Sequence, residues 1–485
     1  MLVKKSSLLL FLLSIFLLAY HLITLSLSPL PWFDEVFFAS ISHSVMSGKG
    51  LILEAASFYT HDKPVLIYGP VYFYIQAFIM KILGFSEWVF RLVNFFSAIG
   101  ILFFMNHVMR KRVSKKIRIS ILILLSFDTI FLQNAHSGRM DLLALLFIMI
   151  SYIPLINIRH SFRDSVFSAV FALLALLTTP RSAIFLLPIA FWLINKIFKE
   201  KRILPSLSFI AIVLCGYFIW IVLGFGGVKE FFSYYTSTSV REGSNNLFDS
   251  FVGGNLNIRP FQIPLIFFTL ITFFLSKKRE WTWLTVICIT NIVVFYLTVK
   301  DTGLYSALII PFWLLLLAEN INSMSSSLSR LKFLPILIPA FVSISIFTIK
   351  AVIIWGSLEE RKPGNIYEWV KSNIPAGSRV VGDYKYYYAV IKSESDFQFI
   401  ELGETVKDRL QYHLNAYHAD YILTSAETQK ETLETYLAGI GSYNEIDIKL
   451  HQSTGKIPQL IKRVALKLPV TFSNTYEGKM YKIVR

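Results

Sequence analysis

The sequence predicts a polytopic α-helical membrane protein with about eleven transmembrane helices and a small C-terminal α/β domain. Three observations carry this. The chain of 485 residues is 54% hydrophobic and only 16% charged, with a mean hydropathy of +0.57. That is an apolar excess which needs lipid as its solvent. Apolar runs long enough to cross a bilayer recur along the first 355 residues. Basic residues collect in every second connection between those runs.

The first run, 7–27, follows Lys4 and Lys5. It is longer than a signal-peptide core and lacks a small-residue cleavage pattern, so it reads as an uncleaved helix. Ten more runs follow at 88–109, 117–133, 139–158, 164–179, 181–198, 203–225, 259–276, 280–299, 305–320 and 333–355. Arg110, Lys111, Arg112, Lys115, Lys116 and Arg118 form the first basic cluster. Arg159 and Arg163, then Lys196, Lys199, Lys201 and Arg202, then Lys277, Lys278 and Arg279, and finally Arg330 and Lys332 form the others. These loops are expected on the cytoplasmic side. Segments 28–87, 134–138, the turn around Thr178–Pro180, 226–258, 300–304 and 356–485 are then expected outside. Leu66–Phe85 is apolar enough to span, but spanning would invert every later loop. The charge bias therefore predicts an interfacial helix there, with Tyr68, Tyr72, Tyr74 and Lys81 at the membrane surface.

From about Gly356 the charges become dense and the apolar segments shorten. The pattern predicts helices at 365–373, 405–416 and 427–437, and strands at 379–381, 396–402, 420–423 and 443–450. Two units follow: a transmembrane domain, 1–355, with the outer loop 28–87, and an extracytoplasmic α/β domain, 356–485. The net charge of +16 lies in the loops rather than in a nucleic-acid-binding patch. Cys215 and Cys288 sit within apolar runs and imply no disulfide framework.

Charged residues beside membrane helices are costly and therefore informative. Asp34 and Glu35 follow the first run, His61, Asp62 and Lys63 lie further along that loop, and Arg139 and Asp141 open the fourth run. Arg181 opens the sixth, Lys300 and Asp301 close the ninth, and Tyr305 begins the tenth. Each has an ordinary structural role open to it, as helix cap, ion pair or interfacial anchor. Arg91 is a possible partner for one of the carboxylates. His43, His61 and His136 show no metal-ligand spacing. What favours function is convergence, since acids and cations from five places share one membrane level. That layout suits an anionic lipid headgroup.

At these residues the chain resembles the GT-C superfamily of polyprenyl-phosphate-sugar-dependent glycosyltransferases. It looks most like the protein O-mannosyltransferases and lipid A aminoarabinose transferases. The segments that carry the likeness are WFDEVFFASISHSVMSGKG, DKPVLIYGPVYFYIQAFIMKILGFSEWVFRLVNFFSAIG, SGRMDLLALLF and KDTGLYSALIIPFWLLLLA, within about residues 7–320. The family often has Lys-Gly where this chain has Pro180-Arg181. The resemblance implies a GT-C-like fold and an inverting transfer of a hexose or pentose from a polyprenyl-phosphate carrier to a lipid, glycan or protein. It implies an enzyme working on the extracytoplasmic face, and the compact chain, whose termini carry no retention signal, points to a bacterial inner membrane rather than the endoplasmic reticulum.

Under that resemblance Asp34 matches the general base, with Glu35 and Asp141 as the other catalytic candidates. Lys63, Arg139, Arg181 and Lys300 are candidates for holding the donor phosphate, and Tyr59, Tyr68 and Tyr305 for lining the substrate site. No cofactor is expected, and no Asp-x-Asp metal motif is evident. Two rivals remain: a transporter or flippase for a lipid-linked or anionic solute, and a scaffold that uses the tail as a binding module. Transporters place their charges near the bilayer midplane rather than at one rim.

Overall fold

A computed structural model describes residues 17–57, 63–157, 161–201, 203–241, 258–276, 282–299, 305–324, 332–401, 406–425, 428–448, 450 and 475–484. After the first run, helical from residue 17, come α1 (Phe33–Met46), α2 (Val71–Leu83), α3 (Glu87–Met109), α4 (Lys115–Phe127), α5 (Thr129–Ala135), α6 (Asp141–Ser151), α7 (Ile153–Ile156) and α8 (Phe162–Leu176). The bundle continues with α9 (Leu187–Glu200), α10 (Ile203–Phe225), α11 (Val228–Arg241), α12 (Ile263–Leu275), α13 (Trp283–Thr298), α14 (Ile310–Ser323) and α15 (Leu334–Gly356). Each of the ten later runs is helical. Among the described residues, five helical stretches are individually long and apolar enough to cross a membrane: Glu87–Met109, Pro180–Lys199, Ile203–Phe225, Ser306–Ser323 and Leu334–Gly356.

Two departures from straight spans matter for the site. The sequence predicts one helix over 117–133, yet α4 and α5 meet at 63°. The break is chemical. Asp128 takes an extended conformation and its carboxylate accepts the amides of Ile130 and Phe131, at 3.0 and 2.9 Å. A side chain that caps a new helix ends the old one. The second departure is α2, which has 13 residues. That is about 20 Å of helix against about 30 Å of hydrocarbon, a length it shares with α12. It ends at Gly84 with φ +85° and packs along α1.

Beyond α15 the tail folds into a five-stranded sheet of order β2-β1-β3-β5-β4. Its strands are β1 (Arg379–Gly382), β2 (Asp396–Phe399), β3 (Tyr421–Ser425), β4 (Tyr443–Ile448) and β5 (Gly478–Ile483). The first three pair in parallel, while β5 runs antiparallel to both β3 and β4. The helix expected over 405–416 begins at Val406 and passes into a π-helical turn at Tyr412–Ala416. Two elements escape the sequence pattern, β5 and the short helix Tyr387–Lys392.

The hydrophobic core has two main bodies. One fills the helical bundle, around residues such as Ile292, Phe312 and Leu314. The other joins the outer loop to the tail. It packs Val36, Phe38, Tyr72 and Phe73 against Tyr387, Tyr388, Phe397 and Phe399. The tail is thus built onto the loop that carries Asp34 and Glu35, sharing its apolar interior.

On the far face of the sheet, His413 is buried with Nδ1 2.6 Å from the Tyr436 hydroxyl. Burial lowers its pKa from 6.5 to about 3, so the folded ring is neutral when the unfolded one begins to charge. Its contribution is complete above about pH 6.5 and declines as pH falls toward about 3. The loss is about 1.4 kcal/mol per pH unit inside that window. Hydrogen exchange at β3 amides between neutral and mildly acid pH should show this loss in the wild type and a flatter profile in His413→Gln.

Candidate active site

The site begins with a carboxylate that lies outside it. Glu35, in the first turn of α1, is fully buried and forms a bidentate ion pair with Arg91 of α3, both contacts at 2.8 Å. Arg91 also donates to the Leu25 carbonyl at 2.7 Å. The Tyr388 hydroxyl donates to Glu35 at 3.4 Å, and the Gly138 amide donates to the same carboxylate. One ion pair therefore binds the first helical run, α1, α3, the 136–140 turn and the tail. Every strong donor around Glu35 is committed, so this acid is structural in the described geometry. Consecutive helix positions point about 100° apart, and Asp34 accordingly faces the other way.

Asp34 accepts a hydrogen bond from Nη1 of Arg139. The Nε of the same guanidinium donates to Asp141 at 2.6 Å. Arg139 and Asp141 are both buried, whereas the Asp34 side chain keeps 29% of its exposure. Asp34 is thus the carboxylate of this triad open to a substrate. The guanidinium of Arg139 also stands 5.2 Å from the Trp32 ring and 5.0 Å from the Tyr305 ring. Arg181 stacks on Tyr305 at 4.3 Å. It is exposed and, among the described residues, makes no ion pair. One arginine is neutralised by two carboxylates, and a second is held beside it with the more distant field of Asp141 acting on it.

Close backbone approaches assemble these parts. A Cβ on Gly138 would stand 2.1 Å from the Phe90 ring, so only glycine admits the turn that presents Arg139. Asn94 holds that turn by donating to the Ser137 carbonyl at 2.6 Å, and His136 Nδ1 lies 3.2 Å from the Ser28 carbonyl. A Cβ on Gly69 would fall 1.9 Å from the Leu177 carbonyl oxygen, where the Val71 amide donates at 3.0 Å. This contact lays the Tyr68 segment against the turn that leads to Arg181. Tyr68 is half-buried and packs edge-on against Phe38 at 5.1 Å. Burial pushes its phenol well above the ordinary value, so it remains a neutral hydroxyl donor.

Asp34, Arg139, Asp141, Arg181 and Tyr305 therefore come together, and the fields of Asp34, Arg139, Arg181 and Tyr305 all act on Tyr68. Lys63 is exposed and makes no ion pair among the described residues. Tyr59 and Lys300 lie outside the described residues. Sequence reasoning missed three contributors. Trp32 faces Arg139, Phe399 packs on Phe33 at 5.5 Å, and Tyr388 reaches Glu35. The last two come from the tail, some 350 residues away in sequence, and only long-range contact reveals them. Trp32 had a local signal, being an aromatic two residues before the acid.

Residues 62–222 match the family model described as dolichyl-phosphate-mannose-protein mannosyltransferase. That third of the chain includes Arg91, Arg139, Asp141 and Arg181 but neither Asp34 nor Tyr305. No curated protein matches the sequence at a significant level. Among solved structures, the chain is similar to ArnT from Cupriavidus metallidurans bound to undecaprenyl phosphate. The TM-score is 0.60 at 11% identity, over 99% of this chain and 98% of that one. The fold is that of the GT-C glycosyltransferases. ArnT in the apo state gives a TM-score of 0.59 at 10% identity, over 100% of this chain and 99% of that one. AglB from Archaeoglobus fulgidus, in complex with an inhibitory peptide and a dolichol-phosphate, gives 0.48 at 12% identity, over 94% and 75%. At these identities the likeness concerns the GT-C fold. The tail is part of it, since the alignment with ArnT spans nearly the whole of both chains.

The committed pair makes a sharp stability test. Arg91→Met leaves Glu35 buried and unpaired and should cost about 3–5 kcal/mol. Thermal unfolding in detergent should show a large loss for that variant. It should show partial recovery in Glu35→Met/Arg91→Met, where no orphan charge remains.

Proposed function

We propose that this chain transfers a sugar from a polyprenyl-phosphate carrier to an acceptor hydroxyl, with Asp34 as the general base. The observation that carries the reading is the asymmetry of the cluster. Arg139 is neutralised by two carboxylates, while Arg181 beside it is exposed and makes no ion pair among the described residues. A guanidinium fixed on an aromatic face without an ion-pair partner among the described residues is a ready contact for a phosphate. The partly exposed carboxylate of Asp34 is linked to the same cluster through Arg139.

In the proposed reaction the acceptor oxygen attacks the anomeric carbon, and its proton passes to Asp34. The bond from that carbon to the phosphate oxygen breaks, and the phosphate leaves on its lipid. Arg181, with Arg139 behind it, stabilises the negative charge gathering on the leaving oxygen. Asp141 acts as a positioning residue by holding Arg139. The Tyr68 hydroxyl is placed to donate to a sugar or phosphate oxygen, and the ring of Tyr305 orients both arginines. Lys63 and Lys300 are proposed to widen the cationic rim, and Tyr59 to line the substrate site. The acceptor class is a lipid, a glycan or a protein. A single displacement inverts the anomeric centre. The charges sit at the ends of α1, α6 and the Arg181 turn, which favours chemistry at a membrane surface over a transport path through the midplane.

We place this site on the extracytoplasmic side of a bacterial inner membrane, with about eleven spans, because the basic loops cluster at the opposite helix ends. Single cysteines at exposed Ser47 and Ser372, in a chain lacking Cys215 and Cys288, should react with an impermeant thiol reagent in intact cells. One at exposed Ser114 should be protected until the membrane is opened. Labelling of Ser114 with protection of Ser47 reverses the orientation.

Asp34→Asn should lower transfer from a radiolabelled polyprenyl-phosphate sugar by about 100-fold or more, the usual loss of a general base, with donor binding retained. Arg181→Gln should instead weaken donor binding. Near-normal transfer by Asp34→Asn, together with none by Asp141→Asn, would move the base to Asp141.

A further inference from the structure

At the other end of the same helices lies a second polar cavity. It has a volume of about 270 Å³ and is lined by His107, Val108, Lys111, Arg112, Ile153 and Ile156, with Asn157 at its edge. Three connections place it opposite Asp34. Arg91, in the first turns of α3, holds Glu35, and His107 lies 16 positions later, about 24 Å along the axis. The α6–α7 segment runs from Asp141 to Ile156 and Asn157. The α14 segment runs from just after Tyr305 to Glu319, the partner of Arg112.

The cavity is built rather than incidental. Arg112 is anchored on three sides: Nη1 meets Glu319 at 3.3 Å, Nη2 donates to the Ile156 carbonyl at 3.0 Å, and its own carbonyl accepts from Asn322 at 3.0 Å. Thr285 fixes the other oxygen of Glu319 at 2.8 Å. The guanidinium thus forms a rigid wall whose charge is partly offset. His107 and Lys111 differ, because both are exposed and neither has an ion pair or hydrogen bond among the described residues. They are unspent donors at the mouth. Val108, Ile153 and Ile156 make an apolar floor.

We propose that this cavity binds the phosphate of an anionic lipid headgroup, with the apolar floor taking the glycerol and upper acyl carbons. A free phosphate satisfies the same donors, but it has no use for that floor. Basic pockets between membrane helices on the positively charged side are suited to anionic headgroups. The crowd of Arg110, Lys115, Lys116 and Arg118 raises the local concentration of any anion. The ligand holds the ends of α3, α7 and α14 together, remote from the transfer site.

The test uses the full-length protein in nanodiscs of phosphatidylcholine, with and without a minority of phosphatidylglycerol. Native mass spectrometry counts retained anionic lipid. Wild type should keep one phosphatidylglycerol, and His107→Gln/Lys111→Gln should hold it about fivefold less tightly, the loss of one juxtamembrane cation. Lys115→Gln/Lys116→Gln removes more charge outside the cavity and should retain the lipid. Equal loss in both variants, or no retained lipid and no effect of phosphate, overturns the site. Thermal stabilisation of wild type but not of the cavity variant by inorganic phosphate, with no retained phosphatidylglycerol, overturns the lipid source.

Discussion

A guanidinium buried near the membrane boundary cannot be left unpaired, because removing it from water costs several kcal/mol that only a well-placed anion offsets. The Glu35–Arg91 pair meets that constraint, and much of the outer architecture is arranged around it. Its two bidentate bonds, the Leu25 carbonyl, the Gly138 amide and the Tyr388 hydroxyl draw five chain segments to one point. With the register of α1 fixed by Glu35, Asp34 emerges on the adjacent face. The Gly138 turn, held by the same carboxylate, then delivers Arg139 to Asp34. The buried acid and the partly exposed one are neighbours in sequence, and the first fixes the helix face on which the second emerges.

The tail belongs to this scheme. Phe397, Phe399, Tyr387 and Tyr388 share a core with the outer loop, and Gln398 clamps that loop by donating to the Glu54 carbonyl at 2.6 Å and accepting from the Ser57 amide at 3.2 Å. Strand β2 therefore forms one wall near the site through the Phe33–Phe399 contact. An α/β domain attached in this way restrains α1 and shapes the approach to Asp34.

Hydropathy and charge placed much of the fold correctly. Where they are described, the ten apolar runs from residue 88 onward are helical. Helix formation in an apolar run follows from the need to satisfy backbone hydrogen bonds without water, which is a local property. The kink at Asp128 was missed because a single capping acid is a weak signal inside an apolar run. In the tail, β5 lies far from the strands it joins, and its pairing is a long-range event. The aromatic density of Tyr384–Tyr388 gave no periodicity from which to place the short helix there.

For the candidate site, the sequence by itself determined which charges stand at helix ends, since a membrane excludes unpaired charge from its interior and hydropathy locates the connections between apolar runs. It named Asp34, Glu35, Asp141, Lys63, Arg139, Arg181 and Lys300 on that ground, and Tyr59, Tyr68 and Tyr305 as aromatic neighbours. Only the tertiary structure decided which of them are committed to one another. Glu35 is bound to Arg91, Arg139 is shared by two carboxylates, and Arg181 is left with its charge available. The reason is that ion pairing depends on atomic distances between segments as many as 105 positions apart, as with Asp34 and Arg139. Those distances are set by glycine contacts and the shared core, and no local pattern encodes them.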